Sequence, residues 1–519
     1  MKRLIINLMA NTLSFIISFG ISFFLTPYIT AAMGEEAYGF ISLGNNFVSY
    51  ATIITAALNS MAARFITVEL YKGNDKEANE FFSSVLIANI VLTVVLVIPA
   101  ILVVVFLEKI INVPSALVFD VKSLLLFLFI AFFITLITSV YSVAPYAKNR
   151  TDLSAYRDIF YNLVRAGSLY LVFSIFEAHV WYYGAATIVA SLYLVVANVF
   201  LHKKLLGEMR FNHKNYKRSS VIILIKSGIW SSVSSLSTTL LEGLDLLIAN
   251  LFISASAMGV LSIAKTLPLA INSMVSTISQ VFVPGFIISY AQNDKNLVID
   301  VNNSIKLMSI FSSMPLVVLF VLGKAFFKLW VPTQNSDILH ILSILTVGTL
   351  VVTATVKPLY AIYVVTNKLK ANSLTALVQG VASTAAVFFF LSILPKDTLN
   401  NSNNPVGLYI IAGVSSFLGI LRAITFTPMY AAYCLKLKKL TFYPAIWKSL
   451  VNVIISTILS AVLVSFVNVD SWMKLVVTTC FVCIIEILSG FLFVLNKEEK
   501  KIFLSKIKSK FLNKGEIKK

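Results

Sequence analysis

Long apolar runs separated by short polar punctuation make up nearly the whole chain. They cover approximately residues 5–32, 39–67, 81–107, 121–146, 158–178, 180–201, 221–252, 257–290, 305–329, 339–366, 372–394, 406–433, 449–468 and 473–495. A helix needs about 20 apolar residues to cross the hydrocarbon core, and only helices or closed barrels satisfy their backbone there. The pattern predicts an all-α integral membrane protein of about fourteen transmembrane helices. The first run follows Met1-Lys2-Arg3 as the core of a signal peptide would. It is too long for that role and lacks an Ala-x-Ala site, so it reads as an uncleaved first span.

The polar punctuation carries orientation. Loops near Lys72, Lys148, Lys203–Arg218, Lys368 and Lys436, with both chain ends and Lys295, hold about 28 of the 42 basic residues, and the alternate loops hold about six. Both termini are therefore expected in the cytoplasm. The tail 497–519 spaces Phe503, Ile507 and Phe511 four apart among lysines. That is the pattern of a basic amphipathic helix on the anionic inner leaflet, or else of a frayed charged end.

The chain also repeats itself at an offset near 220. Asn7, Asn11, Ser14, Ser18 and Ser22 fall opposite Ser227, Ser231, Ser234, Thr238 and Glu242, and Tyr38-Gly39-Phe40-Ile41-Ser42 falls opposite Met258-Gly259-Val260-Leu261-Ser262. Asn74-Asp75-Lys76 matches Asn293-Asp294-Lys295 after a one-residue slip. The expectation is two six-helix lobes, 1–210 and 211–434, related as parallel repeats, with two extra spans in 435–496.

Composition agrees with a lipid solvent. Of 519 residues 58% are hydrophobic and 13% charged, with mean hydropathy +0.87, whereas a soluble domain keeps about a quarter charged. The net charge of +19 would point to nucleic acid in a soluble protein. Here it is explained by topology, and no nucleic-acid partner is expected. Cys480 and Cys483 lie inside an apolar run with no second pair to complete a metal site, and the four histidines form no ligand pattern.

The informative residues are the polar groups inside the apolar runs. Ser231, Ser235, Thr238, Glu242 and Asp245 recur at steps of four and three, placing them on one helical face. Each carboxyl would cost roughly 2.5–3.5 kcal/mol facing lipid, so the stripe is expected to face protein or water. Asn7, Asn11, Ser14 and Ser18 form its uncharged counterpart in the first span, as two halves lining a shared cleft would. Lys226, Lys306 and Lys448 lie near cytoplasmic ends and are read as snorkelling. Arg64 and Arg165 lie in the inner half, and Lys265, Lys357 and Arg422 lie deeper. Charges at such depth mark functional sites by default, the alternative being a structural pair such as Lys265 with Glu242 or Asp245. Glu486, in the last span, has no evident role. The cationic excess that remains favours an anionic cargo, because guanidinium groups fork onto phosphate oxygens.

Pro27-Tyr28-Ile29 with Met33-Gly34-Glu35-Glu36-Ala37-Tyr38-Gly39-Phe40-Ile41-Ser42-Leu43 resembles the span 1–2 signature of polysaccharide-export (Wzx-type) flippases. Asp245, Met258-Gly259 and Ser262-Ile263-Ala264-Lys265 resemble the matching signature of their second half. Their superfamily also holds multidrug-and-toxin extruders and lipid II flippases. The resemblance implies a MATE-like fold of two lobes around a cavity, alternating access, and a cargo of undecaprenyl-pyrophosphate-linked oligosaccharide in the bacterial cytoplasmic membrane. It implies head-group contacts from Arg64, Arg165, Lys265, Lys357 and Arg422. For a coupling ion, Na+ or H+, it implies Asp245 or Glu242 with Asn372, Thr375 or Gln379, and no other cofactor. Polymerase and chain-length proteins of a polysaccharide pathway are the implied partners. A multidrug extruder would prefer acidic cavity walls, a lipid II or teichoic acid-type exporter differs in glycan, and an enzyme would need an acid–base constellation that no outer loop carries.

Overall fold

The computed structural model describes residues 2–292, 296–366, 368–399, 405–497 and 499–500. The Asn293-Asp294-Lys295 match and the tail residues Phe503, Ile507 and Phe511 lie outside the described residues. Within them every regular element is helical.

Helix α1 (Lys2–Tyr71) is two arms, 2–33 and 35–71, meeting at Gly34 with φ 83° and ψ 173°. Positive φ costs glycine nothing, so one residue turns the chain between two spans. The first spans continue through α2 (Asp75–Val105), the short α3 (Leu107–Ile110), α4 (Val118–Thr138), the short α5 (Val143–Ala147), α6 (Thr151–Ile175) and α7 (Trp181–Leu205). Helix α8 (Arg218–Thr238) leads into a π turn at Thr239–Gly243 and then α9 (Asp245–Phe252). After α10 (Ala255–Gln280) and α11 (Val283–Ala291) comes α12 (Leu297–Trp330). One broken span is made of α13 (Ser336–Val347), α14 (Leu350–Val356) and α15 (Pro358–Val365). The remainder is α16 (Leu369–Ile393), α17 (Lys396–Leu399), α18 (Val406–Ile424), α19 (Phe426–Cys434), α20 (Tyr443–Ser465) and α21 (Trp472–Phe493).

Twelve stretches among the described residues are long and apolar enough to cross a membrane. The first of them, Met9–Tyr71, holds both arms of α1. Helix α6, which carries Asp152, Arg157, Asp158 and Arg165, is not among them. Counting the arms separately and adding α6 brings the helices to the fourteen expected. The chain is a multi-pass membrane protein.

Contacts divide it into two compact units, Met1–Ile263 with Ser373–Ser415, and Ala264–Asn372 with Ser416–Lys519. The limits fall inside α10, α16 and α18, so the grouping differs from a division at 210/211. In the first unit α8 packs along the 35–71 arm of α1. A Cβ on Gly228 would sit 1.9 Å from the Ala57 carbonyl oxygen, and Ser232 Oγ donates to the Ile53 carbonyl at 2.7 Å. In the second unit α12, α20 and α21 pack on one another.

The two repeat-related motifs meet within the first unit. A Cβ on Gly39 would lie 2.8 Å from Gly259 Cα, and one on Gly259 would lie 2.2 Å from the Glu35 carbonyl oxygen. Ser262 Oγ donates to Ser42 Oγ at 2.5 Å, and Ser256 Oγ donates to Glu35 Oε1 at 3.0 Å. Lipid supplies little hydrophobic drive between helices, so small residues that let backbones touch become the association surface. The G259A variant should therefore cost about 1–3 kcal/mol through overpacking, read as a lower melting temperature of the detergent-purified protein. S42A should cost less, since an interhelical hydrogen bond in a membrane contributes about 0.6 kcal/mol on average. An unchanged G259A melting curve would contradict the contact.

Candidate functional site

The polar stripe expected on the seventh span does not continue unbroken. The π turn puts Leu244 N–H onto the Thr239 carbonyl at 3.1 Å, which inserts a residue relative to an α-helix. Asp245 therefore leaves the phase of Ser231, Ser235, Thr238 and Glu242. Glu242 is exposed and Asp245 buried. The turn frees the Gly243 carbonyl, which accepts from Tyr50 Oη at 2.6 Å and Asn46 Nδ2 at 3.0 Å. Thr384 Oγ1 donates to the Leu240 carbonyl at 3.2 Å. Side chains of two other helices thus hold the turn in place.

The uncharged stripe of the first span serves packing. Asn7 is buried and its Oδ1 accepts from the Asp152 N–H at 3.1 Å, while its Nδ2 donates to Asn149 Oδ1 at 3.2 Å. Asn11 donates to Thr151 Oγ1 at 3.4 Å, and Ser18 Oγ accepts from Asn162 Nδ2 at 2.9 Å. Three of the four residues expected to line a cleft are therefore bonded to α6 or its leading turn.

Of the five basic candidates, Arg64 and Arg165 belong to the first unit. Arg64 is exposed. Arg165 lies 5.7 and 5.6 Å from the ring centres of Tyr161 and Tyr183, within cation–π range. Its guanidinium donates to Tyr183 Oη at 3.3 Å and Asn162 Oδ1 at 3.1 Å, and its Nε is buried without a partner. Thr375 and Gln379, on α16, are half-buried in this unit.

The other three basic candidates belong to the second unit, each within six residues of a proline. Lys265, three residues before Pro268, is buried. Pro268 removes the donor for the carbonyl four residues back, that of Ala264, and Ser343 Oγ supplies one at 2.7 Å. Lys357 immediately precedes Pro358 at the α14–α15 break, and its Nζ reaches Asn272 Oδ1 at 3.0 Å and Ser276 Oγ at 2.7 Å. Arg422 sits two residues before the end of α18. There Pro428 deprives the Ile424 carbonyl of its donor, and Tyr443 Oη replaces it at 2.6 Å.

The Arg422 guanidinium donates to the Asn372 carbonyl at 3.2 Å and to Asn372 Oδ1 at 2.7 Å, and lies 5.9 Å from the Phe426 ring centre. A head-group candidate and a coupling-ion candidate are thus bonded together. With its oxygen already accepting from a cation, Asn372 is poorly placed to bind a second one in this conformation. Lys306 and Lys448, read as snorkelling, bond Glu499 at 2.6 Å and Asn496 at 2.8 Å. The three cysteines are free thiols. Sequence reasoning missed Tyr443 and Ser343. Pro428 and Pro268 were the available signal, since each announces an orphaned carbonyl.

A family model described as a polysaccharide biosynthesis protein matches residues 4–289. Over 504 residues, 97% of this chain and 98% of the relative, the chain is 28% identical to the uncharacterized membrane protein EpsK of Bacillus subtilis (strain 168). Among solved structures it is similar to the lipid II flippase MurJ in an inward closed conformation. That match has a TM-score of 0.64 and 14% identity, covering 94% of this chain and 98% of that one. It is also similar to an inward-facing multidrug resistance MATE family transporter of the MOP superfamily, with a TM-score of 0.56 and 15% identity over 83% and 99% of the two chains. These likenesses show the MATE-like fold.

The breaks make a testable pair. Y443F leaves the Ile424 carbonyl buried without a donor and should destabilise the protein by about 1 kcal/mol. In the P428A background the backbone N–H restored at that position serves the carbonyl, so Y443F should cost little there. Thermal unfolding of the four proteins checks this, and additive effects would exclude the coupling.

Proposed function

The chain belongs to the polysaccharide biosynthesis protein family, and on that premise we propose that it flips a lipid-linked oligosaccharide from the inner to the outer leaflet. The cargo is a polyprenyl-pyrophosphate carrying a short glycan, the membrane is the bacterial cytoplasmic membrane, and both termini lie inside. The observation that carries the reading is the company kept by Arg165 and Arg422. Arg422 lies in the apolar helix α18 and Arg165 in the more polar α6, and their bonding partners, among the described residues, are amides, a carbonyl, a phenol and aromatic rings, with no carboxylate.

Such partners orient a guanidinium without cancelling its charge. Guanidinium stays protonated in proteins, so burying it among neutral groups is costly unless an anion shares the space. A pyrophosphate supplies that anion, and the fork of the guanidinium matches its oxygens. The sugars need hydrogen bonds, because a desolvated hydroxyl left unpaired is also costly, whereas the lipid tail remains in hydrocarbon throughout. Alternating exposure of such a site to the two faces moves the head group and leaves the tail in the bilayer. Lys357, held by Asn272 and Ser276, and Lys265 are the further cations we assign to this task. A cation at Asp245 or Glu242, Na+ or H+, is the coupling ion we assign, with Thr375 and Gln379 as neutral ligands. Polymerase and chain-length proteins would receive the product.

Replacing Arg422 by alanine or glutamate should leave protein abundance and monodispersity unchanged while surface polysaccharide falls roughly tenfold or more. That follows from a charge-assisted hydrogen bond contributing about 1.5–3 kcal/mol. Lipid-linked units should accumulate on the cytoplasmic leaflet. R422K keeps the charge but loses the fork and should retain intermediate export. Normal surface glycan in R422E would remove Arg422 from the site, and missing lipid-linked units would place the defect before flipping.

A further inference from the structure

Glu486, left without a role by the sequence and by the flipping site, lies on α21 and is fully buried. Its carboxyl faces α12 and α20. Asn452 Nδ2 donates to Oε1 at 2.6 Å, and Ser313 Oγ lies against the same oxygen while its single hydrogen also faces the Ser309 carbonyl at 2.6 Å. Asn452 Oδ1 accepts in turn from Ser489 Oγ at 2.6 Å, which fixes the amide with its N–H groups toward the acid. Oε2 is buried and receives no hydrogen bond. Ser456 lies against the carboxyl, and its own hydrogen is committed to the Val453 carbonyl at 3.2 Å.

This asymmetry is the pattern of a neutral acid. In a carboxylate both oxygens carry charge and both need donors. In a carboxylic acid one oxygen is a carbonyl that accepts, and the other carries a proton and donates. One firm donor, Asn452, serves Oε1 and none serves Oε2, while the Ser313 and Ser456 oxygens, whose hydrogens face the Ser309 and Val453 carbonyls, are available as acceptors. Charge agrees. Among the described residues no basic side chain pairs with Glu486, and a bare carboxylate in so dry a place would neutralise. On its own helix the nearest titratable group is Cys483, one turn away. On α12 it is Lys306, which is engaged by Glu499, and on α20 it is Lys448, which is bonded to Asn496. A metal cation is disfavoured because the Asn452 amide hydrogens point at the site.

Two serines of α12 lie between it and a polar cavity. At the end of the bundle we assign to the cytoplasm, a cavity of about 330 Å³ is lined by Asn302, Lys306, Lys448, Asn496 and Glu499. Burial raises the Glu499 carboxyl, but Lys306, the Asn496 backbone N–H and Lys448 together hold the group below the usual carboxylate range. Ser309, one turn beyond Lys306 on α12, is buried with an unpartnered hydroxyl, and Ser313 follows one turn later.

We propose that Glu486 is a proton-binding site of the α12–α20–α21 bundle, a carboxylic acid that exchanges its proton with the cavity at Lys306 and Glu499 through the hydroxyls of Ser309 and Ser313. The site lies apart from Glu242 and Asp245, and the assignment does not depend on the cargo. The test is infrared difference spectroscopy on the full-length protein in lipid vesicles. Wild type minus E486Q should show the carbonyl stretch of a protonated acid that shifts in heavy water. S313A, which removes the hydroxyl beside Oε1, should shift the frequency of that band, and S309A should slow the heavy-water shift. The S313A shift assigns the band even where E486Q does not assemble. Carboxylate bands in the difference spectrum, or a band that moves when sodium replaces potassium, would overturn the proposal in favour of an ionised or cation-binding group. An acid band that never exchanges would reduce Glu486 to a sealed structural contact.

Discussion

Hydrocarbon offers a backbone carbonyl no hydrogen bond, so every interruption of a helical ladder must be repaired by the protein itself. The chain interrupts its ladders often and repairs them with side chains from neighbouring helices. Ser343 serves Ala264 below Pro268, Tyr443 serves Ile424 below Pro428, and Asn46 with Tyr50 serves Gly243 in the π turn. Each repair ties two helices at the point where one of them bends. The deep cations of the second unit gather at the same points, with Lys265, Lys357 and Arg422 at or near a proline break. The breaks thus shape the helices.

Close packing supplies the second constraint. Gly39 and Gly259 are equivalent positions of the internal repeat, and they touch. A side chain on either would separate the arm after Gly34 from the start of α10, and with it the Ser42–Ser262 hydrogen bond. The glycines and serines of the two signatures are therefore a packing surface in this structure, with Gly39 against Gly259 and Ser42 against Ser262. The family model covers this surface, which is reason enough for such a motif to recur without contacting substrate.

How far the sequence could be read follows from the range of each interaction. Spans were legible because lipid imposes one length and one polarity on every helix. Some ends agree with the structure to a few residues, as at 339–366 against Ser336–Val365, whereas α12 begins at Leu297, eight residues before the expected 305. The one-residue turn at Gly34 was legible only as a glycine between two runs. The stripe ending at Asp245 misled, because periodicity assumes a constant pitch and the π turn at Thr239–Gly243 changes it. Partnerships across the bundle were invisible. Arg422 and Asn372 are 50 residues apart, and Glu486 and Ser313 are 173 apart. Sequence spacing marks such groups as out of place without saying what receives them.

What receives them differs with the sign of the charge, and the difference is chemical. A guanidinium does not give up its proton at any pH a cell experiences, so Arg165 and Arg422 remain charged, and neutral rings and amides can only orient them. On the proposed reading their charge is met by something that arrives from outside the fold. A carboxyl has another course. Glu486 sheds its charge by holding a proton, and Asn452 serves one oxygen and leaves the other for that proton. The same desolvation that keeps the arginines in want of an anion keeps the acid neutral. On the two readings proposed here, burial prepares one set of sites for a phosphate and a separate one for hydrogen ions.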